Sequence, residues 1–236
     1  MNIDKPVNKI KIAIFLPTYK RPEYTVQCIK ALEEAQEYKN TSFYLVDDGS
    51  NDGTDEILKN AKLPNKTVIV YPENVGLRFN TIKFFDWARE EKVDIIGVVG
   101  NDALMPKNWL NGMLDALLNT DLDVASLNHL PSNPAFRQGQ NDTEGKGYRK
   151  ADNLVGLWFM DRRLTDDLVF EHSSLSGIRG SEIILRQIKI GKEPNIGWVT
   201  SMTALDLGHW SGKAEGHIKS KAHRRYSNEI GRPVSW

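Results

Sequence analysis

The sequence holds a single cysteine, Cys28, in 236 residues. That excludes an internal disulfide framework and any zinc site built from several cysteines, and it suits a reducing compartment. Cys28 falls within a helical pattern, with no neighbour in sequence that lowers a thiol pKa, so it reads as a small buried apolar side chain. Long hydrophobic runs are missing too. The most apolar stretches, residues 12–17 and 95–100, fall far short of the roughly 20 residues of a membrane-spanning helix. Residues 1–11 carry charges and no apolar signal-peptide core, so a cytoplasmic location is expected. Net charge is absent: 31 Lys and Arg balance 31 Asp and Glu, which argues against a surface given over entirely to nucleic acid. The phosphate loop G-x-x-x-x-G-K-[ST], the dinucleotide fingerprint G-x-G-x-x-G and the hydrolase elbow G-x-S-x-G are all lacking.

What is present is an ordinary globular composition. Hydrophobic residues at 40% and charged residues at 26% exclude a disordered chain. A chain of 236 residues buries about 70% of its unfolded surface and needs no disulfide or metal to fold. Neither an internal repeat nor a linker is visible, so one domain with a variable second half is expected. Charge is unevenly spread. Residues 211–236 hold six Lys or Arg and two acids, which makes this tail +4 and leaves residues 1–210 at −4. Such a tail can meet a phosphate, a nucleic acid or the acidic body of its own domain.

Short β-branched runs alternate with segments of helical spacing. Strands are expected at residues 11–17 (KIAIFLP), 42–46 (SFYLV), 66–71 (KTVIVY), 93–99 (VDIIGVV) and 122–127. Helices are expected from Pro22 to about residue 38, around 55–61, over 76–91 and after Pro106. This order predicts a parallel sheet covered on both faces, with ligands at the carboxyl ends of its strands. The turns 17–21, 47–50 and 100–102 should therefore gather on one edge. Beyond about residue 128 the pattern changes. Residues 131–149 read as a long polar loop, 153–160 as a strand, 181–190 as a helix stopped by Gly191, and 197–203 and 204–207 as short strands.

Acids on turns after strands carry the chemistry. Asp47 and Asp48 end the second strand, and Asn101 and Asp102 follow the fourth. Taken alone, each acid is an ordinary turn former or helix cap. Two such turns side by side make a polar crevice for a base, a ribose or a divalent cation, because Mg²⁺ and Mn²⁺ prefer oxygen ligands and often bridge phosphates.

Together, IAIFLPTYKRPEYTVQCIKAL, FYLVDDGSNDGTDEIL, ENVGLRFN and IIGVVGNDALMPKNWL resemble glycosyltransferase family 2 over about residues 10–115. The resemblance implies the GT-A fold: α/β, a mostly parallel central sheet flanked by helices, here followed by the basic C-terminal tail. It implies metal-dependent transfer of a sugar from a nucleotide-sugar donor, usually a UDP-sugar, to an acceptor hydroxyl, with Mn²⁺ or Mg²⁺ as cofactor. It divides a single domain into a nucleotide-sugar half at about 10–127, an acceptor half at 128–210 and the tail at 211–236. Pro17, Thr18 and Tyr19 match the turn along the base and ribose, with Arg21 following in it. Asp48 matches the acid that accepts from the uracil ring N–H, while Asp47 holds the turn. Arg78 matches a basic position near the base or diphosphate, beside Asn74 and Asn80. The usual D-x-D metal motif reads Gly100-Asn101-Asp102, which leaves Asp102 as the direct metal ligand and Asn101 as a hydrogen-bonding substitute.

In the second half, GLWFMDRR (156–163) resembles the acceptor-side strand of the family. The element that carries the family's catalytic base reads RGSEIILR (179–186). Its usual base position falls on Gly180, so Glu182 is the expected base, with Glu171 and Asp161 in reserve. His209 in LDLGHW resembles a late histidine that closes the metal site, and imidazole suits Mn²⁺. Lys213 in the tail is expected to neutralise the diphosphate leaving group. The acceptor stays open among saccharide, lipid, protein and a modified base of phage-type DNA, which the basic tail and polar loop would suit. A sugar-nucleotide or glycan-binding module without turnover also stays open, since Gly100 and Gly180 stand where the family usually keeps acids.

Overall fold

A computed structural model describes residues 5–35, 39–131, 148–150, 157–169 and 180–206. Among the described residues nine strands form one sheet: β1 (Ile12–Thr18), β2 (Thr41–Asp47), β3 (Lys66–Val70), β4 (Ile95–Val98), β5 (Ala103–Leu104), β6 (Val124–Pro131), β7 (Tyr148–Lys150), β8 (Trp158–Asp161) and β9 (Ile196–Asp206). Five α-helices accompany them among the described residues: α1 (Pro22–Glu34), α2 (Thr54–Asn60), α3 (Leu77–Glu90), α4 (Trp109–Asn119) and α5 (Gly180–Lys189). The strand order is β3-β2-β1-β4-β8-β6-β9-β5, with β7 paired to β9.

The first four strands pair in parallel, as the alternation of strands and helices requires. β1 shows why their sequences are almost wholly apolar: its side chains alternate between two buried layers. Ile12, Ile14 and Leu16 pack with Cys28, Ile29 and Leu32 of α1 and Trp109, Leu110, Met113 and Leu114 of α4. Ala13 and Phe15 pack with Phe84, Phe85 and Ala88 of α3 and Ile183 and Ile184 of α5. Phe15 and Phe84 stack with ring centroids 5.0 Å apart, a contact worth about 0.5–1.5 kcal/mol beyond its buried area. No helix among the described residues is long and apolar enough to cross a membrane.

The sheet is mostly parallel, as the family resemblance implies, with β8 between β4 and β6 running antiparallel to both. The second half departs from expectation in two ways. The stretch expected as two short strands is one strand, β9, whose register against β6 slips between Leu127 and Asn128, pairing Val199 and then Thr203. No break occurs between residues 203 and 204; the irregularity is this shift of register inside one continuous strand. The expected polar loop at 131–149 gives way at its end to β7, antiparallel to β9, and residues 132–147 lie outside the described residues.

Cys28 is fully buried under the site turn, its Sγ 3.5 Å from the Gly100 carbonyl. Burial first, and the Asp102 charge second, push the thiol far above its ordinary range. The group stays protonated and inert at neutral pH. Ellman's reagent is expected to leave the native protein unlabelled and to react with one thiol in denaturant. Rapid labelling of the native protein would contradict the buried placement.

Candidate active site

The strands β1, β2 and β4 end on one edge of the sheet, here the upper edge, and the three motif-bearing turns follow them. The turns are joined by hydrogen bonds across long stretches of sequence. Lys20 N donates to Ser50 Oγ at 2.8 Å. Asn101 Nδ2 donates to Thr25 Oγ1 at 3.1 Å and to the Lys20 carbonyl at 3.4 Å. Asp48 N donates to the Thr18 carbonyl at 2.9 Å. The expected gathering of turns 17–21, 47–50 and 100–102 is therefore present.

Lys20 and Arg21 both take left-handed backbone conformations, φ 59° and φ 60°. Each costs a residue with a Cβ about 1–2 kcal/mol, and such strain persists only where the surroundings over-determine it. Here the bonds from Ser50 and Asn101 hold Lys20. The Arg21 carbonyl accepts from Tyr24 N at 3.0 Å and Thr25 N at 3.1 Å, which starts α1. Pro22 at the first helical position suits that start.

Asp47 holds its own turn, Oδ1 accepting from Ser50 N at 3.1 Å. Asp48 reaches further. It is only 4% exposed, and its carboxylate accepts from Val75 N at 2.8 Å and Gly76 N at 3.1 Å. Those amides belong to ENVGLRFN, so the aspartate fastens that loop onto the turn. A carboxylate offers about four acceptor sites, so two bonds leave capacity for a ligand N–H. The Tyr71 hydroxyl, raised by burial and then by the Asp48 charge, marks this corner as acidic.

Gly49 explains why the loop can lie so close. A Cβ there would stand 2.3 Å from the Glu73 carbonyl carbon and 2.6 Å from Asn74 N. Arg78 is 7% exposed in the first turn of α3. Asn80 is fully buried, and neither its Oδ1 nor its Nδ2 has a hydrogen-bond partner.

The expected donor residues fall into two kinds. Tyr19 is exposed at the turn and carries Lys20 Nζ over its ring at 5.1 Å. Pro17 is half-buried. Thr18 is buried, and its hydroxyl donates to the Val46 carbonyl at 2.8 Å. Like the Asn101 amide, that hydroxyl is spent inside the protein. Asp102 is a quarter exposed, with the Arg21 guanidinium beside it, Nη1 to Oδ2 3.5 Å. Ser50, Thr25 and Gly49 were not singled out from sequence. Their only signal was the letters of DDGS and of the helix start, since each acts through a partner distant in sequence.

Among the described residues no group of three His, Cys, Asp or Glu side chains could hold a metal. Asp102 offers one carboxylate, and a Cβ on Gly100 would lie 2.9 Å from its Oδ1, so the missing side chain leaves that oxygen room. Mg²⁺ is commonly bound by one or two carboxylates plus substrate phosphates. The residues thus fit a cation shared with a bound diphosphate.

Glu182 lies in the first turn of α5 by its backbone. The last turn of α5 and the residues after it are tied to the opposite, lower edge: Gln187 Nε2 donates to the Leu164 carbonyl, and Lys192 pairs with Asp167 at 2.8 Å. The first turn, with Glu182, is the end of the helix away from that anchor. Asp161, a reserve base from sequence, is corrected. It pairs with Ile95 at the start of β4, at the lower edge, and its carboxylate is committed to Arg163 N and the Arg163 guanidinium. Glu171, His209, Lys213 and the tail lie outside the described residues.

The sequence profile described as Glycosyl transferase family 2 matches residues 13–179. A curated relative, glycosyltransferase GlyG of Streptococcus pneumoniae, is 26% identical over 119 residues, which is 50% of this chain and 38% of GlyG. The chain thus matches well under half of that relative's length. The solved mannosyltransferase PcManGT from Pyrobaculum calidifontis, in complex with GDP-Man and Mn²⁺, superposes with a TM-score of 0.72 at 17% identity, covering 98% of this chain and 67% of that one. S. aureus TarS 1–349 in complex with UDP-GlcNAc superposes with a TM-score of 0.63 at 16% identity, covering 94% and 66%. At such identities the likeness is one of fold, the GT-A architecture.

Proposed function

The chain belongs to glycosyl transferase family 2, and from that premise we propose that it moves a sugar from a nucleotide-sugar donor to an acceptor hydroxyl. The observation that carries this reading is the upper-edge cluster, in which three strand-end turns are locked around Asp48, Arg21 and Asp102. Asp48 takes the base N–H with its remaining acceptor capacity. Tyr19 and Pro17 flank the base and ribose, and Arg78 and Arg21 meet the diphosphate. Thr18 and Asn101 shape the turns from behind. Asp102 would hold a divalent cation, Mn²⁺ or Mg²⁺, which would supply positive charge to the diphosphate leaving group. His209 and Lys213 are proposed to close this site from the tail, as metal ligand and as a further positive charge. Glu182 is the proposed base for the acceptor hydroxyl. We keep the cytoplasm as the proposed compartment, on the single buried cysteine.

A UDP-sugar is the proposed donor. Similar solved structures are complexes with UDP-GlcNAc and with GDP-Man, so calorimetry with UDP and with GDP, each with Mn²⁺, is the direct test. UDP should bind more tightly than GDP, and Asp48→Asn should weaken it at least tenfold, because one acceptor oxygen at the base becomes a donor. Equal UDP affinity in Asp48→Asn would sink the assignment. A binding module without turnover is the second reading, favoured by Gly100 and Gly180. Release of UDP from a UDP-sugar separates the two.

A further inference from the structure

The Arg21 guanidinium stands beside Asp102, with Nη1 3.5 Å from Oδ2, where the cation of the donor complex is proposed to sit. Its placement is not a loose surface encounter. The Lys20 and Arg21 backbone is left-handed at both residues, and bonds from Ser50, Asn101 and Thr25 fix it on both sides. Bonds to α1 and to both neighbouring turns thus hold the Arg21 backbone beside the turn that carries Asp102. Across from it, Gly100 supplies no second acid, and a Cβ there would crowd Asp102 Oδ1 at 2.9 Å. The pair is one carboxylate and one guanidinium, so its charge already sums to zero. A divalent ion arriving alone meets a guanidinium at the only carboxylate of this turn.

The pair is also weakly held. The Arg21 side chain is 35% exposed and that of Asp102 26%, and solvent-screened pairs of this kind contribute little. A diphosphate offers the planar guanidinium a two-pronged, doubly charged acceptor, which is a stronger partner than one carboxylate at 3.5 Å.

We propose that Arg21 is a built-in counter-ion for Asp102: it keeps free divalent metal off the carboxylate until a nucleoside diphosphate draws the guanidinium away. Metal and nucleotide then bind as a coupled pair. The nucleotide frees Asp102, and the freed carboxylate receives the cation that the phosphates carry. By linkage the coupling is reciprocal. This inference rests on the nucleotide-sugar reading for its second half. Its first half, exclusion of metal by Arg21, stands on the ion pair alone.

The test uses the whole chain and reads Mn²⁺ binding by electron paramagnetic resonance, with UDP affinity in EDTA by calorimetry. Wild type is expected to bind Mn²⁺ weakly alone and at least tenfold more tightly with UDP. Arg21→Gln should bind Mn²⁺ without nucleotide at least tenfold more tightly than wild type, and should bind UDP in EDTA at least fivefold more weakly. Arg21→Lys should still exclude Mn²⁺ yet lose UDP affinity in EDTA, since it keeps the charge without the fork. Asp102→Asn supplies a second handle that leaves the Arg21 turn intact. It should raise UDP affinity in EDTA, because Arg21 is released, whereas simple damage to a donor site would lower it. Unchanged nucleotide-free Mn²⁺ binding in Arg21→Gln, or lower UDP affinity in EDTA for Asp102→Asn, overturns the counter-ion. If neither UDP nor GDP binds wild type under any condition, the donor reading falls. The Mn²⁺ arm still decides whether Arg21 guards Asp102.

Discussion

Gly49→Ala is expected to remove on the order of 4 kcal/mol of stability and to abolish nucleotide binding. Two effects add. At φ +74° a Cβ costs about 1–2 kcal/mol. The larger effect is steric: the Cβ would sit 2.3 Å from the Glu73 carbonyl carbon, so the loop must lift. Lifting it pulls Val75 N and Gly76 N from Asp48, and each hydrogen bond to a charged group is worth about 1.5–3 kcal/mol. In a domain of this size such a loss lowers Tm by about 8–16 °C. Gly53 is the matched control. Its φ is +89°, but nothing lies within 4 Å of its Cβ position, so Gly53→Ala should cost only the conformational part, about 1–2 kcal/mol. Urea unfolding of both variants checks this. Equal losses at the two positions would show that the Glu73–Asn74 backbone does not press on Gly49.

Comparison of Gly49 with β1 shows what the sequence can reveal. The strand KIAIFLP announces itself because both its faces are buried, in the α1/α4 layer and the α3/α5 layer, and every residue from Ile12 to Leu16 is fully buried. A continuous apolar run is the direct trace of that environment. The turns are equally visible, because tight backbone there demands Asp, Gly, Asn and Pro. β5 and β7, of two and three residues, are too short to express a period of two. The position of β8 was hidden for another reason: its neighbours in the sheet depend on a chain reversal that no residue of WFMD encodes. The bonds that assemble the site were hidden likewise. Asp48 meets Val75 and Gly76, 27 and 28 residues away, and Lys20 meets Ser50 across 30. No local pattern reports such pairs. The Arg21 to Asp102 contact needs more still, two successive left-handed residues without glycine, a conformation that sequence statistics would argue against.

Glu182→Gln is expected to lower turnover by about 10²–10⁴, the usual weight of a general base, while leaving UDP affinity nearly intact. The motivation is placement. Glu182 opens α5, whose far end is fastened at the lower edge through Gln187 and Leu164, and whose Ile183 and Ile184 are buried against the α3 side of the sheet. Glu182 thus stands at the end of α5 away from the lower-edge anchor, and its role as base is the proposal this variant tests. Glutamine keeps the size and polarity of the side chain but cannot take a proton. The pH dependence adds a readout that damage to the fold would not move. A base must be unprotonated to act, so wild-type kcat should rise with pH through the pKa of Glu182 and then level off. Glu182→Gln should lose that rising limb, leaving a low, flat profile. If turnover and profile are both unchanged, Glu182 is an ordinary acid in a helix's first turn, favourable there through the helix dipole. Asp161 cannot then inherit the role, because it lies at the lower edge in a closed pair with Arg163. The base would have to be Glu171, or the transfer would have to retain configuration and need no such base. A Glu171→Gln variant and the anomeric configuration of the product separate those two outcomes.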